Sequence, residues 1–472
     1  MKKKNKTIIL ILILCLTCAA NTKFLGAKGD AYKPNQDIIA KEKELGYEVP
    51  PVLSAKNLVP AKLLSSKNHV VLDTVYNDGF YNHYTIKTTW GYFYAGGDEK
   101  LKTRVNEIYA IDALKQVEND HVLTNRAKEG GKRILMAPVN AVKSVGNAIM
   151  NPEDTLKKVK SIPSGVTDFF SGIARKIKGE ANHISNQVDK IQKNDRAQGK
   201  EETSTAQIVV EKSGKRIFDE GLSYAKRWIG YNKNVREIEK QFGILPDTDN
   251  ELLKDEITRI AGLKTGVMVS TKFVPGIPMF QVISEANEKL GMINKISTYE
   301  DKIVQEEMVF NELLNVGLPE NTIYKFQKQH YLTTSQKTII TNAIINLAGV
   351  QERASLISMA LNLDNEEAGR IYTNIVTTLP YLNKKYQFKH FLTTTFLPVA
   401  ITKDNKAVAP LVTNYIFWTD TLDTIINSAL KKTNNEAKGF ELILSGKISD
   451  RALKELNNKN IKIIYLENIL QK

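Results

Sequence analysis

Residues 70–97 read VVLDTVYNDGFYNHYTIKTTWGYFYAGG, and the fold of the N-terminal part turns on them. Val70, Leu72 and Val75 lead into Asn77-Asp78-Gly79, a turn signal in which the glycine can take the positive φ that a side chain resists. Tyr81, Tyr84, Ile86, Trp90, Tyr92 and Phe93 follow, residue types suited to a pleated, half-buried surface, with Gly91 and Gly96-Gly97 as further turns. This spacing predicts a small antiparallel sheet over 69–95. Beyond it, Leu101, Val105, Ile108 and Ile111 recur at three- and four-residue steps and predict a helix from Glu99 to Leu114. The aromatic cluster of Tyr81, Tyr84, Trp90, Tyr92, Phe93 and Tyr94 offers a binding face, but packing of the sheet on that helix explains it more economically.

Three pieces of this region, Asn77-Asp78-Gly79-Phe80, the strand ending in Trp90-Gly91-Tyr92-Phe93, and Arg104-Val105-Asn106-Glu107-Ile108, together resemble a family of exported bacterial proteins of unassigned function. The resemblance implies a fold unit and no reaction.

Export is also what the first twenty residues predict. Lys2, Lys3, Lys4 and Lys6 form a basic cluster, Ile8 to Leu16 is almost wholly apolar, and Thr17, Ala19 and Ala20 are small. That order is the signature of a secretory signal peptide cut after Ala19 or Ala20, and the apolar run is well short of the ~20 residues a bilayer span needs. The expected location is therefore periplasmic or secreted, with membrane association as a further option. Lipidation at Cys18 is disfavoured, because Thr17 stands where a small Gly, Ala or Ser is required. Both cysteines, Cys15 and Cys18, fall inside the leader. A chain cut after Ala20 can form no disulfide and can use no catalytic cysteine, zinc–thiolate or iron–sulfur chemistry.

The formal charge is +14, of which the four leader lysines supply four, leaving +10. Such a balance favours an anionic membrane surface or an envelope polymer as partner, alongside unknown protein partners. Export disfavours nucleic acid.

The most distinctive stretch after the leader is 133–178. Leu135, Val139, Val142, Val145 and Ile149 give one apolar helical face. After Pro152 and Pro163, shorter amphipathic turns follow, the last built from Val166, Phe169, Phe170, Ile173 and Ile177 and closed by the basic residues Arg175, Lys176 and Lys178. Amphipathic helices with such flanks can lie in a bilayer interface, so Phe169, Phe170, Ile173, Ile177, Arg175, Lys176 and Lys178 are the candidate membrane-contact residues. The alternative is that these faces pack on the protein's own helices, and Glu153, Asp154 and Asp168 dilute the basic side.

The expected organisation is a signal peptide (1–20), an N-terminal α+β unit (28–125), an amphipathic helical segment (130–193), a polar linker (194–206), a helical domain (207–385) and a C-terminal α/β unit (386–472). Within the helical domain, Asp247 or Asn250 is positioned to cap a helix carrying Leu252, Leu253, Ile257 and Ile260. Gly266 to Ile283 is apolar but holds Lys272 and two prolines, which disfavours a membrane span. Near the C-terminus, Phe396–Ile401 and Ala407–Leu411 flank Lys403-Asp404-Asn405-Lys406 as a hairpin. Phe440–Gly446, a helix over Ala452–Leu456 and Ile461–Leu466 then read as a β-α-β unit. The fold class so predicted is α+β and predominantly helical: a small N-terminal antiparallel β-sheet, a central helical bundle, and a C-terminal β-hairpin plus β-α-β unit.

No catalytic, cofactor or metal motif is legible. Ser445-Gly446 ends a strand where α/β sheets bind ligands, yet it lacks both a phosphate-binding glycine loop and a G-x-S-x-G elbow. His69, His83, His121, His183, His330 and His390 are scattered singly, with no histidine partner at helical spacing. The functional expectation is a non-enzymatic interaction protein of the cell envelope. A periplasmic enzyme, such as a hydrolase, and a secreted membrane-active effector stand as alternatives.

Overall fold

A computed structural model describes residues 32–116, 232–244, 246–262, 291–300, 302–392, 397–433 and 436–470. The leader, the amphipathic series that includes Phe169, Phe170, Ile173, Arg175, Lys176, Ile177 and Lys178, the polar linker, and Gly266–Ile283 lie outside the described residues.

The first helix, α1 (Gln36–Glu44), is capped by Asn35, whose Oδ1 accepts from the Asp37 amide at 2.9 Å. Strand β1 (Leu53–Ser54) and the short helices α2 (Ala55–Leu58) and α3 (Ala61–Leu64) follow. Then come β2 (His69–Val71), β3 (Thr74–Asn77), β4 (Asn82–Thr88) and β5 (Gly91–Gly96), all antiparallel. β4 is the centre of this curled sheet, with β5 along one edge and β2 and β3 sharing the other. At the β3–β4 turn Gly79 has φ +103°, the conformation its sequence context requires. Register puts Tyr84 opposite Ala95 and Ile86 opposite Phe93, and all four side chains are buried with Val71 and Val75. Helix α4 (Asp98–Gln116) covers this face with Leu101, Val105, Ile108 and Ile111. Tyr84 and Phe93 of the aromatic cluster are thus core residues.

Helices α5 (Asn232–Gln241) and α6 (Glu251–Gly262) join the same core through Phe242, Leu253, Ile257 and Ile260. Asn250 is the cap of α6, its Oδ1 accepting from the Leu253 amide at 3.1 Å. Five helices follow: α7 (Lys302–Asn315), α8 (Glu320–Gln327), α9 (Thr334–Asn346), α10 (Ser355–Ala360) and α11 (Glu366–Tyr386). Thr333 and Gln336 form a capping box at the start of α9, and Asn365 caps α11.

The C-terminal part contains β6 (Phe388–Leu392), β7 (Val399–Thr402), β8 (Ala407–Leu411), β9 (Tyr415–Ile416), α12 (Asp420–Thr433), β10 (Phe440–Leu444), β11 (Lys447–Ile448), α13 (Asp450–Asn458), β12 (Ile461–Tyr465) and α14 (Leu466–Leu470). Its main sheet has the order β12-β10-β8-β7-β6. β6, β7 and β8 form an antiparallel meander, whereas β8, β10 and β12 are parallel and joined by α12 and α13. Strands β8 and β10 are buried along their whole length, as expected of parallel strands covered on both faces.

The predominantly helical reading is corrected here. Of the described residues 51% are helical and 18% are in strands, and the helices do not form a separate central bundle. They are layers on sheets. Helices α5 and α6 bury their apolar faces with the N-terminal sheet. Helices α7–α11 share one core with Phe388, Phe391, Ala400, Val408 and Ile443 of the C-terminal sheet. Helix α11 also sends Ile375 into the core on the sheet's other side, with Val399, Ala409 and Leu442. Helical periodicity marks an apolar face but says nothing about whether a helix or a sheet will cover it.

Candidate functional site

The richest cluster of chemistry-bearing side chains lies where the N-terminal sheet meets the C-terminal α/β unit. The Asn77–Asn82 turn docks on residues 412–417, which leave the carboxyl end of β8. The Asn414 and Tyr415 amides both donate to the Phe80 carbonyl (3.0 and 3.2 Å), and the Phe417 amide donates to that of Gly79 (3.1 Å). Asn77 Nδ2 donates to Asn82 Oδ1 (2.9 Å) and to the Tyr415 carbonyl (3.1 Å). Tyr81 donates its hydroxyl to the Val412 carbonyl. Asn414 Oδ1 in turn accepts from the backbone N–H groups of Asn82 (3.2 Å) and Asp98 (3.1 Å). A Cβ on Gly79 would stand 3.0 Å from Thr419 Cγ2, so this close approach and the positive φ both call for glycine.

Beside this seam, His83 is held by groups of the N-terminal part. Its Nε2 lies 2.7 Å from Asp78 Oδ2, its Nδ1 is hydrogen-bonded to Tyr94 Oη, and the Tyr32 ring stacks on the imidazole at 4.1 Å. Asp78 is fixed in turn, because its Oδ1 accepts from the amides of Phe80 (2.9 Å) and Tyr81 (2.8 Å). Beside these, Arg370 of α11 donates to the Gly96 carbonyl at 2.5 Å, pairs with Glu367 at 3.2 Å, and sits 5.8 Å from the Tyr81 ring centroid.

This is an Asp–His–Tyr chain with an Arg–Glu pair nearby, components that acid–base catalysis also uses. Burial, and then the carboxylates of Glu367 and Asp78, push the Tyr94 phenol up, so it stays a hydroxyl donor. Burial does the same to Tyr81 and to Tyr84, whose hydroxyl donates to Asp98 Oδ1 at 2.6 Å. Burial also raises the Asp98 carboxyl, against the opposing hydrogen bonds from Tyr84 and Asn82. The His83 side chain is 3% exposed and both ring nitrogens have partners. Among the described residues no group of three His, Cys, Asp or Glu side chains could hold a metal ion.

The ligand position considered at Ser445-Gly446 is a backbone crossing. Ser445 Oγ donates to the Thr413 carbonyl (2.8 Å) and accepts from its amide (2.9 Å). A Cβ on Gly446 would fall 2.3 Å from the Asn414 carbonyl oxygen. There is no room for a phosphate between them.

A second buried polar centre ties α4 to the loop before α6. Arg104 reaches Glu107 Oε2 at 2.5 Å and Asp249 Oδ2 at 3.0 Å, and Lys100 reaches Asp249 Oδ1 at 2.6 Å. Glu107 also accepts from Asn250 Nδ2 at 3.0 Å and from Thr248 Oγ1 at 2.5 Å. Near the far end of α4, Arg259 of α6 donates to the Leu114 carbonyl at 3.0 Å, and Asn234 of α5 donates to the Ala261 carbonyl at 3.4 Å.

Sequence reading passed over His83, Asp78, Arg370 and Asn414 as a group. A signal existed for the first two: pairing across the Asn-Asp-Gly turn sets Tyr76 opposite His83, which brings Asp78 within reach of the imidazole. Nothing local pointed to the others. The candidate membrane-contact residues lie outside the described residues. Comparison with known proteins finds no matching family model, no similar curated protein and no similar solved structure.

Proposed function

We propose that this chain is a non-enzymatic interaction protein that meets an anionic membrane or envelope surface through residues 133–178. The observation that carries the non-enzymatic part is the filled crevice. Open α/β sheets take their ligands beyond the carboxyl ends of the strands, and here that position is closed by the Asn77–Asn82 turn on residues 412–417 and by Ser445 on Thr413. The polar side chains best equipped for catalysis, Asp78, His83 and Tyr94, are hydrogen-bonded to one another and to the turn that docks there.

The surface-contact part rests on the sequence. Phe169, Phe170, Ile173 and Ile177 beside Arg175, Lys176 and Lys178 have the composition of an interfacial segment. No helix among the described residues is long and apolar enough to cross a membrane.

Flotation of the leader-free protein with anionic and with neutral vesicles, at low and high salt, tests the reading. The expected result is salt-sensitive flotation on anionic vesicles that is lost in Phe169→Asp/Phe170→Asp. Equal flotation of the two forms, or none by the wild type, counts against it.

A further inference from the structure

Helix α8 carries an open groove of about 460 Å³, lined by Asn321, Tyr324, Lys325, Lys328, Gln329 and Leu361. That volume falls within the roughly 300–1,000 Å³ of small-molecule sites. Asn321, Tyr324, Lys325 and Lys328 follow i, i+3, i+4, i+7 spacing and therefore share one face of the helix. The opposite face buries Ile323 and Phe326.

Three observations give the groove its chemistry. First, it is lined by two lysines and no carboxylate. Lys41, Lys100, Lys295 and Lys459 each face an acid within 3.2 Å, whereas Lys325 and Lys328 pair with none among the described residues. Second, the pair sits at the C-terminal end of α8, whose partial negative charge favours cations there, so the attraction for an anion comes from the two ammonium groups and not from the helix. Third, the floor is fixed. Gln329 Nε2 donates to the carbonyls of Ala360, Leu361 and Leu363 (each 3.2 Å), and the Tyr324 ring packs against Phe310 with centroids 5.3 Å apart. A polar and partly apolar floor beneath two ammonium groups that pair with no carboxylate among the described residues suits a phosphate attached to a larger group.

We infer that this groove is a docking site for the phosphate-bearing headgroup of an anionic phospholipid. The choice of a lipid rests on the surface-contact reading above, because the open mouth suits a headgroup presented by a surface and the positive charge complements its phosphate. Lys325 and Lys328 hold the phosphate, while Asn321 and the Tyr324 hydroxyl offer hydrogen bonds to the rest of the headgroup.

The test uses the whole leader-free protein in four forms: wild type, Lys325→Glu/Lys328→Glu, Phe169→Asp/Phe170→Asp, and Lys431→Glu/Lys432→Glu, an equal charge change on exposed lysines of α12. Each is floated with vesicles of phosphatidylcholine with and without phosphatidylglycerol. Each is also titrated calorimetrically with dihexanoyl phosphatidylglycerol below its micelle concentration and with inorganic phosphate. The expected result is a fall of at least about tenfold in both lipid measurements for the α8 variant, less than about twofold for the α12 variant, and weak binding of phosphate alone. Equal losses in both lysine variants would reduce the effect to net charge and overturn the site. So would unchanged binding of the soluble lipid by the α8 variant, or inorganic phosphate binding as tightly as the lipid. Flotation that depends on Phe169 and Phe170 but not on Lys325 and Lys328 removes the groove and leaves the functional reading. Soluble-lipid binding that needs the two lysines, with flotation indifferent to the two phenylalanines, keeps the groove and removes the contact through 133–178.

Discussion

Tyr81 and Val412 are 331 residues apart in the chain, yet the phenol of the first donates to the backbone carbonyl of the second, and both residues are buried. Removing only that hydroxyl, in Tyr81→Phe, leaves a buried carbonyl short of a partner and is expected to cost about 1–2 kcal/mol. Asn414→Ala should cost more, about 2–4 kcal/mol, because two backbone N–H groups lose the same acceptor. Urea unfolding followed by tyrosine fluorescence and by far-ultraviolet circular dichroism checks both. The seam couples the two sheets, so wild type should show coincident transitions by the two probes. Separate transitions in the wild type would mean that the docked turn contributes little.

The Arg104–Glu107 pair makes a sharper demand, since both side chains are at most 1% exposed. Arg104→Met alone strands Glu107 and part of the charge on Asp249, and is expected to lose about 3–5 kcal/mol. Arg104→Met/Glu107→Leu should be less damaging than the sum of the two single changes by at least about 1 kcal/mol, because the second removes the orphan that the first creates. Strict additivity in the double-mutant cycle would show that the two groups do not act as a pair. The same centre sets the acid limit. Burial would raise the Asp249 carboxyl, but Lys100 and Arg104 outweigh it and hold it down to about 2. A carboxyl depressed on folding stabilises above its unfolded pKa of about 3.9 and ceases to do so as pH falls through its folded value. Asp249→Asn should therefore narrow the stability gap between pH 5 and pH 2.

Lys337 gives the opposite slope. Its ammonium donates to the Gln327 carbonyl at 2.7 Å, and burial lowers it to about 8, with the nearby Glu306 carboxylate only partly opposing. The unfolded amine keeps its proton to about 10.4, so between these values the unfolded state binds the extra proton and stability rises with pH. At neutral pH the folded protein carries the full penalty of the buried charge. Lys337→Met is expected to be relatively most favourable at pH 7 and to lose that advantage, by about 2–3 kcal/mol, toward pH 10.5. Denaturation midpoints of both forms across pH 7–10.5 decide this; parallel curves would show that Lys337 is not the titrating group.

How far these features were legible follows from the range of the interactions behind them. Gly79, with its φ of +103°, and the strands around it were legible because Asn-Asp-Gly turns and alternating apolar residues act within a few positions. Asn250 as the cap of α6 was legible for the same reason. The partners of the helices were not. Ile375 and Val376 are neighbours on α11, and they enter cores on different sides of the C-terminal sheet, which no single-face pattern anticipates. The seam was least legible of all. Asp78 and His83 are close in sequence, but Arg370 and Asn414 reach the same place from hundreds of residues away, and a lone Arg or Asn carries no periodicity to announce it.

Gly446 separates a packing role from a ligand role at the strand end that the α/β pattern singles out. An added Cβ would lie 2.3 Å from the Asn414 oxygen and 2.5 Å from that of Thr413, and both are backbone atoms that cannot swing aside. Gly446→Ala should therefore destabilise by roughly 3 kcal/mol or more, through overpacking at the crossing that the seam depends on. Gly439, just before β10, has nothing within 4 Å of its would-be Cβ, so Gly439→Ala should stay within about 0.5 kcal/mol of wild type. Thermal unfolding of the two variants side by side reads the difference directly. If Gly446→Ala were as stable as Gly439→Ala, the Asn414 backbone would have to yield at little cost. The crevice beyond β8 and β10 would then be adjustable enough to admit a ligand, and the main argument for a non-enzymatic protein would fail with it.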